Sequence, residues 1–310
     1  VSNTAARVIV AGIAIPVIVA MAYFGGYFWL LFVAAVLVGS AVEYCRLARA
    51  KGANPQQWMV IAGGIALTLV FMHERLASDL GSVIGRGFPW PLQWQAFIWI
   101  IIAVTMLTLV VELFRNNGSA ILNVAVTLLG VFYIGMFLGC ALGIREIFTS
   151  SEFPVSRVFG TIDLSAEAAS TLRHWGGATV VSLLAGIWIC DTAAFFGGTA
   201  LGKHKLFPRV SPKKSWEGAA FGFVGAVVAM IAARYLALEY LSLTHAIVIG
   251  VMIGTIGQIG DLVESLFKRD AGIKDSSELI PGHGGVFDRF DSFILLSPAI
   301  FLYLDFIVFA

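Results

Sequence analysis

The chain has 310 residues; 59% are AVILMFWYC and only 13% are Asp, Glu, Lys or Arg, where soluble domains carry roughly half and about a quarter. A soluble core of this length cannot hide that much apolar surface, whereas a bilayer accepts it. A formal net charge of +1, with no basic face interleaved with aromatics, excludes nucleic acid as a partner.

In chain order, nine apolar stretches fall at about 6–24, 27–44, 58–73, 93–111, 119–142, 175–197, 218–237, 243–260 and 292–309. Most reach the roughly 17–25 residues that a helix needs to cross the hydrocarbon layer. The third is short, with Gln56 as an alternative start. A spanning sheet would need a closed barrel with alternating polarity, and no such alternation is present. The expected fold class is therefore all-α, a polytopic integral membrane protein of about nine transmembrane helices. The chain opens on Val1 rather than Met, so an initiator residue or more is expected to be missing. Residues 8–20 read as membrane domain rather than as a signal peptide.

Lys and Arg at the segment ends set the orientation. With a cytoplasmic N-terminus, Arg7, Arg46, Arg49, Lys51, Arg115, the 198–217 loop and the 261–291 segment share the cytoplasmic side. Loop 143–174 puts Arg145, Arg157 and Arg173 on the other side, among Glu146, Glu152, Asp163 and Glu167. Cys45, Cys140 and Cys190 lie far apart and read as small buried hydrophobes. Gly63-Gly64 and the GxxxG pair Gly218 and Gly222, followed by Gly225, are either close-packing positions or ordinary membrane glycine. The chain divides into residues 1–174, with five helices and a connecting loop, and residues 175–310, which hold both charged blocks.

The first block is DTAAFFGGTALGKHKLFPRVSPKKSWEG, from Asp191 to Gly218. Gly197-Gly198 allows close backbone approach. Lys203, Lys205, Arg209, Lys213 and Lys214, around the turn Ser211-Pro212, make an anion cradle. Ser215 is placed to cap a helix starting near Trp216, and a helix N-terminus is itself a phosphate site. A positive-inside loop touching anionic lipid is the alternative. There is no P-loop pattern.

The second block, Asp261 to Asp291, holds seven Asp/Glu and four Lys/Arg between two apolar segments. Charges this dense at a bilayer boundary are costly unless they bind something. Helical spacing puts Asp261, Glu264, Ser265 and Lys268 on one face. Asp261 sits at the end of an apolar helix, where Mg²⁺ is a fitting partner because it takes carboxylates, waters and phosphates. The turn Pro281-Gly282-His283-Gly284-Gly285 can return Asp288, Arg289 and Asp291 beside it. Opposed carboxylates with Lys and Arg suit phosphoryl or nucleotidyl transfer; a salt-bridged helix pair is the plain alternative. His283 is open to three readings: base, phosphate donor or turn-holding hydrogen bonder.

SLFKRDAGIKDSSELIPGHGGVFDRFD, from Ser265, resembles the signature of the phosphatidate cytidylyltransferase (CDP-diacylglycerol synthase) family. The resemblance rests on Ser265, Lys268, Arg269, Lys274, Asp275, Ser277, Pro281, His283, Gly284, Gly285, Asp288, Arg289 and Asp291. The first block is similar to a second conserved stretch of that family. Before residue 175 the likeness is limited to helix-rich character and Glu43. Two departures stand out: Gly198-Thr199, where the family often has Arg or Lys, and Ser215 in place of Thr.

The resemblance implies an enzyme of the inner (cytoplasmic) membrane that joins CTP and phosphatidic acid into CDP-diacylglycerol and pyrophosphate. It implies a homodimer with a cavity open to cytoplasm and bilayer, and metal ligands at Asp261 and Asp288 holding Mg²⁺, with K⁺ as a second ion. On this reading Lys268, Arg269 and Arg289 neutralise phosphate oxygens, and Lys213 and Lys214 take the CTP phosphates. Asp191, Lys203, Ser211, Ser265, Lys274, Asp275, Gly284 and Gly285 complete the substrate side, with His283 beside the reacting groups. The competing functions are a divergent paralogue, a CTP-dependent lipid kinase and a transporter. A transporter predicts an inverted repeat, and none is visible.

Overall fold

The structure, a computed structural model, describes residues 3–84, 91–148, 166–273 and 284–309. It is a helical membrane protein. The helices are α1 Asn3–Phe24, α2 Gly26–Ala50, α3 Gln57–Val70, α4 His73–Ile84 and α5 Gln93–Leu113. They continue with α6 Ala120–Glu146, α7 Ala166–Leu201, α8 Trp216–Leu236, α9 Leu243–Asp270 and α10 Phe287–Val308. Among the described residues seven helices are long and apolar enough to cross a membrane, or eight if α3 and α4, bent by 83°, form one broken span. The expected stretch 6–24 lies within the 22-residue helix α1, whose segment Gly12–Phe24 is apolar.

Three helices carry a π-helical turn: Val131–Met136 in α6, Ile253–Gly257 in α9 and Leu304–Val308 at the end of α10. Such turns rephase a helix and are frequent at functional sites. The turn in α9 lies just before the segment that carries Asp261. The sequence reading ends the apolar run at residue 260 and gives Asp261 to Lys268 helical spacing beyond it. In the structure the helix continues to Asp270, because the polar residues fall on one face while Val263 and Phe267 pack on the core. The loop between α7 and α8 holds a small antiparallel hairpin, β1 Lys205–Phe207 and β2 Ser211–Ser215. Sequence gave no sign of these strands.

The core is built from α2, α6, α7 and α10, around Trp29, Leu37, Leu138, Leu184, Phe287 and Ile294. Trp29 donates its indole N–H to the Ala141 carbonyl at 3.2 Å, satisfying a polar atom inside an apolar interior. All three cysteines are buried and free, as expected. The glycine question is settled in favour of packing. A Cβ at Gly218 would meet the Ala194 carbonyl of α7 at 2.8 Å, and one at Gly222 would meet the Cys190 carbonyl at 3.0 Å. The approach of α3 to α6 is also close, since a Cβ at Gly135 would collide with the Gly64 Cα. Gly135→Ala must push two backbones apart, so it is expected to cost about 1–3 kcal/mol. A lowered thermal midpoint in detergent checks this, and an unchanged midpoint contradicts it.

Buried charge is paired at both ends of the bundle, as desolvation demands. At one end the Glu112 carboxylate accepts from Asn123 at 2.7 Å, Gln56 at 2.9 Å and Arg115 at 2.9 Å. At the other, Arg145 donates to the carbonyls of Ala22 and Tyr23, each at 3.0 Å, at the end of α1. Glu146 there pairs with Arg75 at 2.8 Å. Arg145 is thus a buried stitch between helices and not a loop charge, which removes one of the three basic residues that opposed the expected orientation.

Candidate active site

The site is assembled from the α7–α8 hairpin, the last three turns of α9 and the first turn of α10. Ser215 ends β2 and caps α8 as expected, its hydroxyl accepting from the Gly218 N–H at 3.1 Å. Glu217, in the first turn of α8, accepts from the backbone N–H groups of Lys203 and His204 and from the His204 ring at 2.6 Å. These contacts fix the hairpin to the helix start.

The two neighbouring lysines of β2 differ in burial. Lys213 is exposed, whereas Lys214 is partly buried and its ammonium lies 2.6 Å from Asp261 Oδ2. Ser265 donates to the other oxygen of Asp261 at 3.3 Å. One turn further along α9, Arg269 donates from Nε to the buried Val210 carbonyl at 3.1 Å. Arg269, expected to face phosphate, also holds the hairpin through this one N–H. Gln258 donates to the Ala219 carbonyl at 3.0 Å and ties α9 to α8. The two charged blocks, far apart in sequence, thus meet directly.

A second cluster lies beside the first. Lys268 reaches Glu264 at 2.7 Å and Asp288 at 2.7 Å. The other oxygen of Asp288 accepts from the Gly285 N–H at 3.0 Å. Gly284 has φ +82°, a conformation that favours glycine, and a Cβ there would stand 3.1 Å from the Asp288 carboxylate. Glycine at this position therefore serves both the turn and the approach to Asp288.

The two clusters share an electrostatic neighbourhood. Asp191 on α7 and the buried Asp291 on α10 both interact with Asp261 and with Lys214, and Asp191 also with Arg289. Asp261 alone contacts the Lys214 ammonium, while Asp191 and Asp291 are near enough to feel its charge. Hard oxygen donors in excess over nearby cationic charge are the chemistry that suits Mg²⁺. Among the described residues, no three His, Cys, Asp or Glu side chains are drawn into ligand geometry; Asp261 and Asp288 are each held by a lysine.

Of the remaining expected residues, Lys203 is exposed and Ser211 partly buried on the hairpin. Lys274, Asp275 and His283 lie outside the described residues.

The cytidylyltransferase family model matches residues 5–307. The chain belongs to the cytidylyltransferase family. The phosphatidate cytidylyltransferase of Synechocystis sp. is 31% identical over 301 residues, which cover 96% of this chain and 95% of that protein. Phosphatidate cytidylyltransferase 5, chloroplastic, of Arabidopsis thaliana is 35% identical over 282 residues, covering 87% of this chain and 64% of the plant protein. The phosphatidate cytidylyltransferase of Haemophilus influenzae is 45% identical over 126 residues, 39% of this chain and 43% of that protein.

For a cytidylyltransferase, the structure adds residues to which the sequence reading gave no role. Glu264 is fully buried between Lys268 and Asp288. The buried Tyr133, on the π-helical turn of α6, places its ring 6.0 Å from both Phe267 and Phe287. Those two residues immediately precede Lys268 and Asp288, so the Tyr133 ring wedges the spacing of α9 and α10. Glu43 on α2 contacts the start of α10. Its signal was legible, since a carboxylate inside an apolar run has to be compensated, but its partner was not.

Proposed function

We propose that this chain is a CTP:phosphatidate cytidylyltransferase that converts CTP and phosphatidic acid into CDP-diacylglycerol and pyrophosphate. The observation that carries the reading is the Lys214–Asp261 contact at 2.6 Å, which joins the two charged blocks in one site within a family member matched over almost its whole length. A phosphate oxygen of the lipid attacks the α-phosphorus of CTP, the bond from that phosphorus to the bridging oxygen breaks, and pyrophosphate leaves with the electron pair. The attacking phosphate is already anionic at neutral pH, its second pKa being about 6, so no strong protein base is required. The chain's work is to hold two mutually repelling anions together and to stabilise charge on the transferred group.

On this reading Lys214 serves the CTP phosphates, with exposed Lys213 and Lys203 at the entrance. Lys268 and Arg289 face phosphate oxygens on the α9–α10 side, and Arg269 keeps the hairpin in register. Asp261 and Asp288 would hold Mg²⁺, supported by the carboxylate excess that includes Asp191 and Asp291; the resemblance adds K⁺ as a neighbouring ion. Bound Mg²⁺ supplies charge neutralisation at the phosphates. Residues 175–310 form the catalytic part and residues 1–174 its support. The homodimer and the cytoplasmic-facing site in the inner membrane belong to the same proposal.

Purified protein in detergent, given CTP and phosphatidic acid with Mg²⁺, is expected to release pyrophosphate only when both substrates are present and to stop on chelation. Release without the lipid, or with any lipid phosphate equally well, contradicts the assignment of the acceptor. Orientation has its own test. Single cysteines at Arg209 and Asp270, both exposed, in a background without the native cysteines, are expected to resist an impermeant thiol reagent in intact cells. Both should react once the membrane is opened; labelling of both in intact cells contradicts the cytoplasmic placement.

A further inference from the structure

Glu43 lies near the end of α2, almost wholly buried at 1% exposure. Its two carboxylate oxygens accept from two successive backbone N–H groups, Val286 to Oε1 and Phe287 to Oε2, each at 2.9 Å. These amides open α10, where a helix leaves N–H groups without partners of its own and where its dipole favours a negative charge. One turn earlier on α2, a Cβ at Gly39 would come within 2.9 Å of the Val286 side chain. The contact is therefore doubly specified: glycine lets α2 close onto Val286, and the carboxylate then grips the next two amides. The residue that follows them is Asp288, whose oxygens are taken by the Gly285 N–H and by Lys268.

We infer that Glu43 is a positioning residue, whose grip on two amides fixes the first turn of α10 and so aims Asp288 at Lys268. It touches no reacting group itself. This is the link by which the N-terminal helices, which the family model also covers, enter the chemistry. Its catalytic consequence rests on the proposed function. Small misplacements of a catalytic group are costly, about 10²-fold for 1 Å. Glu43→Gln keeps the size of the side chain but turns one acceptor into an N–H₂ donor facing a donor.

The test compares the full-length protein in detergent as wild type, Glu43→Gln and the control Asn123→Ala, which breaks the buried network around Glu112. Hydrogen–deuterium exchange is read on the segment 284–291. Glu43→Gln is expected to exchange faster there while α6 stays as in the wild type, and to lose about tenfold in kcat with the KM for CTP held. Asn123→Ala is expected to lose thermal stability while keeping kcat and protection at 284–291. Unchanged exchange at 284–291 in Glu43→Gln overturns the inference, as does an equal kcat loss in Asn123→Ala at matched stability. Should Glu43→Gln fail to fold, Gly39→Ala takes its place: it pushes α2 off Val286 with the carboxylate intact, and unchanged exchange in that variant overturns the inference equally. The exchange measurement needs no substrate. A wild type that makes no CDP-diacylglycerol would therefore sink the proposed function while leaving the role of Glu43 to be judged by exchange.

Discussion

Asp288→Asn is expected to lower turnover by at least about 10²-fold, the scale of removing one electrostatic contact to the transition state, while the protein stays folded in detergent. The substitution changes charge and one acceptor oxygen but hardly any volume. Asp288 accepts from Lys268 and from the Gly285 N–H, so the variant leaves the Lys268 ammonium facing a neutral amide beside the buried Glu264. If Asp288 also holds Mg²⁺, raising the metal concentration will recover little of the lost rate. Single-turnover rates at saturating CTP and lipid, over a series of Mg²⁺ concentrations, decide the point. Wild-type rates at saturating Mg²⁺ would remove Asp288 from the metal site.

Lys214→Ala is expected to raise the KM for CTP about tenfold or more, with a smaller change for the lipid. Hydrogen bonds to charged groups contribute about 1.5–3 kcal/mol, and about 1.4 kcal/mol is a factor of ten in affinity. Lys214 is half-buried and meets Asp261, whereas its neighbour Lys213 points outward. Lys213→Ala should therefore have the weaker effect, although the two residues look equivalent in sequence. Apparent KM values for both substrates in both variants check this. A selective rise for the lipid in Lys214→Ala would reverse the assignment of the two basic clusters, and equal effects of the two lysines would contradict the separate roles drawn from their different burial.

The helices were legible because each long apolar run has one cheap solution in a bilayer, a helix with its backbone satisfied internally. The α3–α4 bend was hinted at only by the shortness of the third run. The polar face of α9 was legible from the spacing of Asp261, Glu264, Ser265 and Lys268, and Ser215 as a cap from its place before an apolar run. The hairpin was hidden because its strands are three and five residues long and lie in a run of lysines that reads equally well as loop. Partner choice was hidden more deeply. Glu112 with Gln56 and Asn123, Arg145 with the end of α1, and Glu43 with Val286 and Phe287 are contacts between distant segments. Periodicity shows that such charges need compensation; only the packed helices show what compensates them. For the same reason Lys213 and Lys214 were assigned one role, and the hold of Arg269 Nε on the hairpin was not foreseen.

The central claim is that the two charged blocks together perform nucleotidyl transfer to a lipid phosphate. The most direct measurement supplies phosphatidic acid with CTP labelled in the base, and in a parallel reaction with CTP labelled in the γ-phosphate, then counts label in the extracted lipid. The account predicts base label in the lipid and γ-label in released pyrophosphate. Lipid that carries the γ-label and no base label would mark a CTP-dependent kinase and contradict the account.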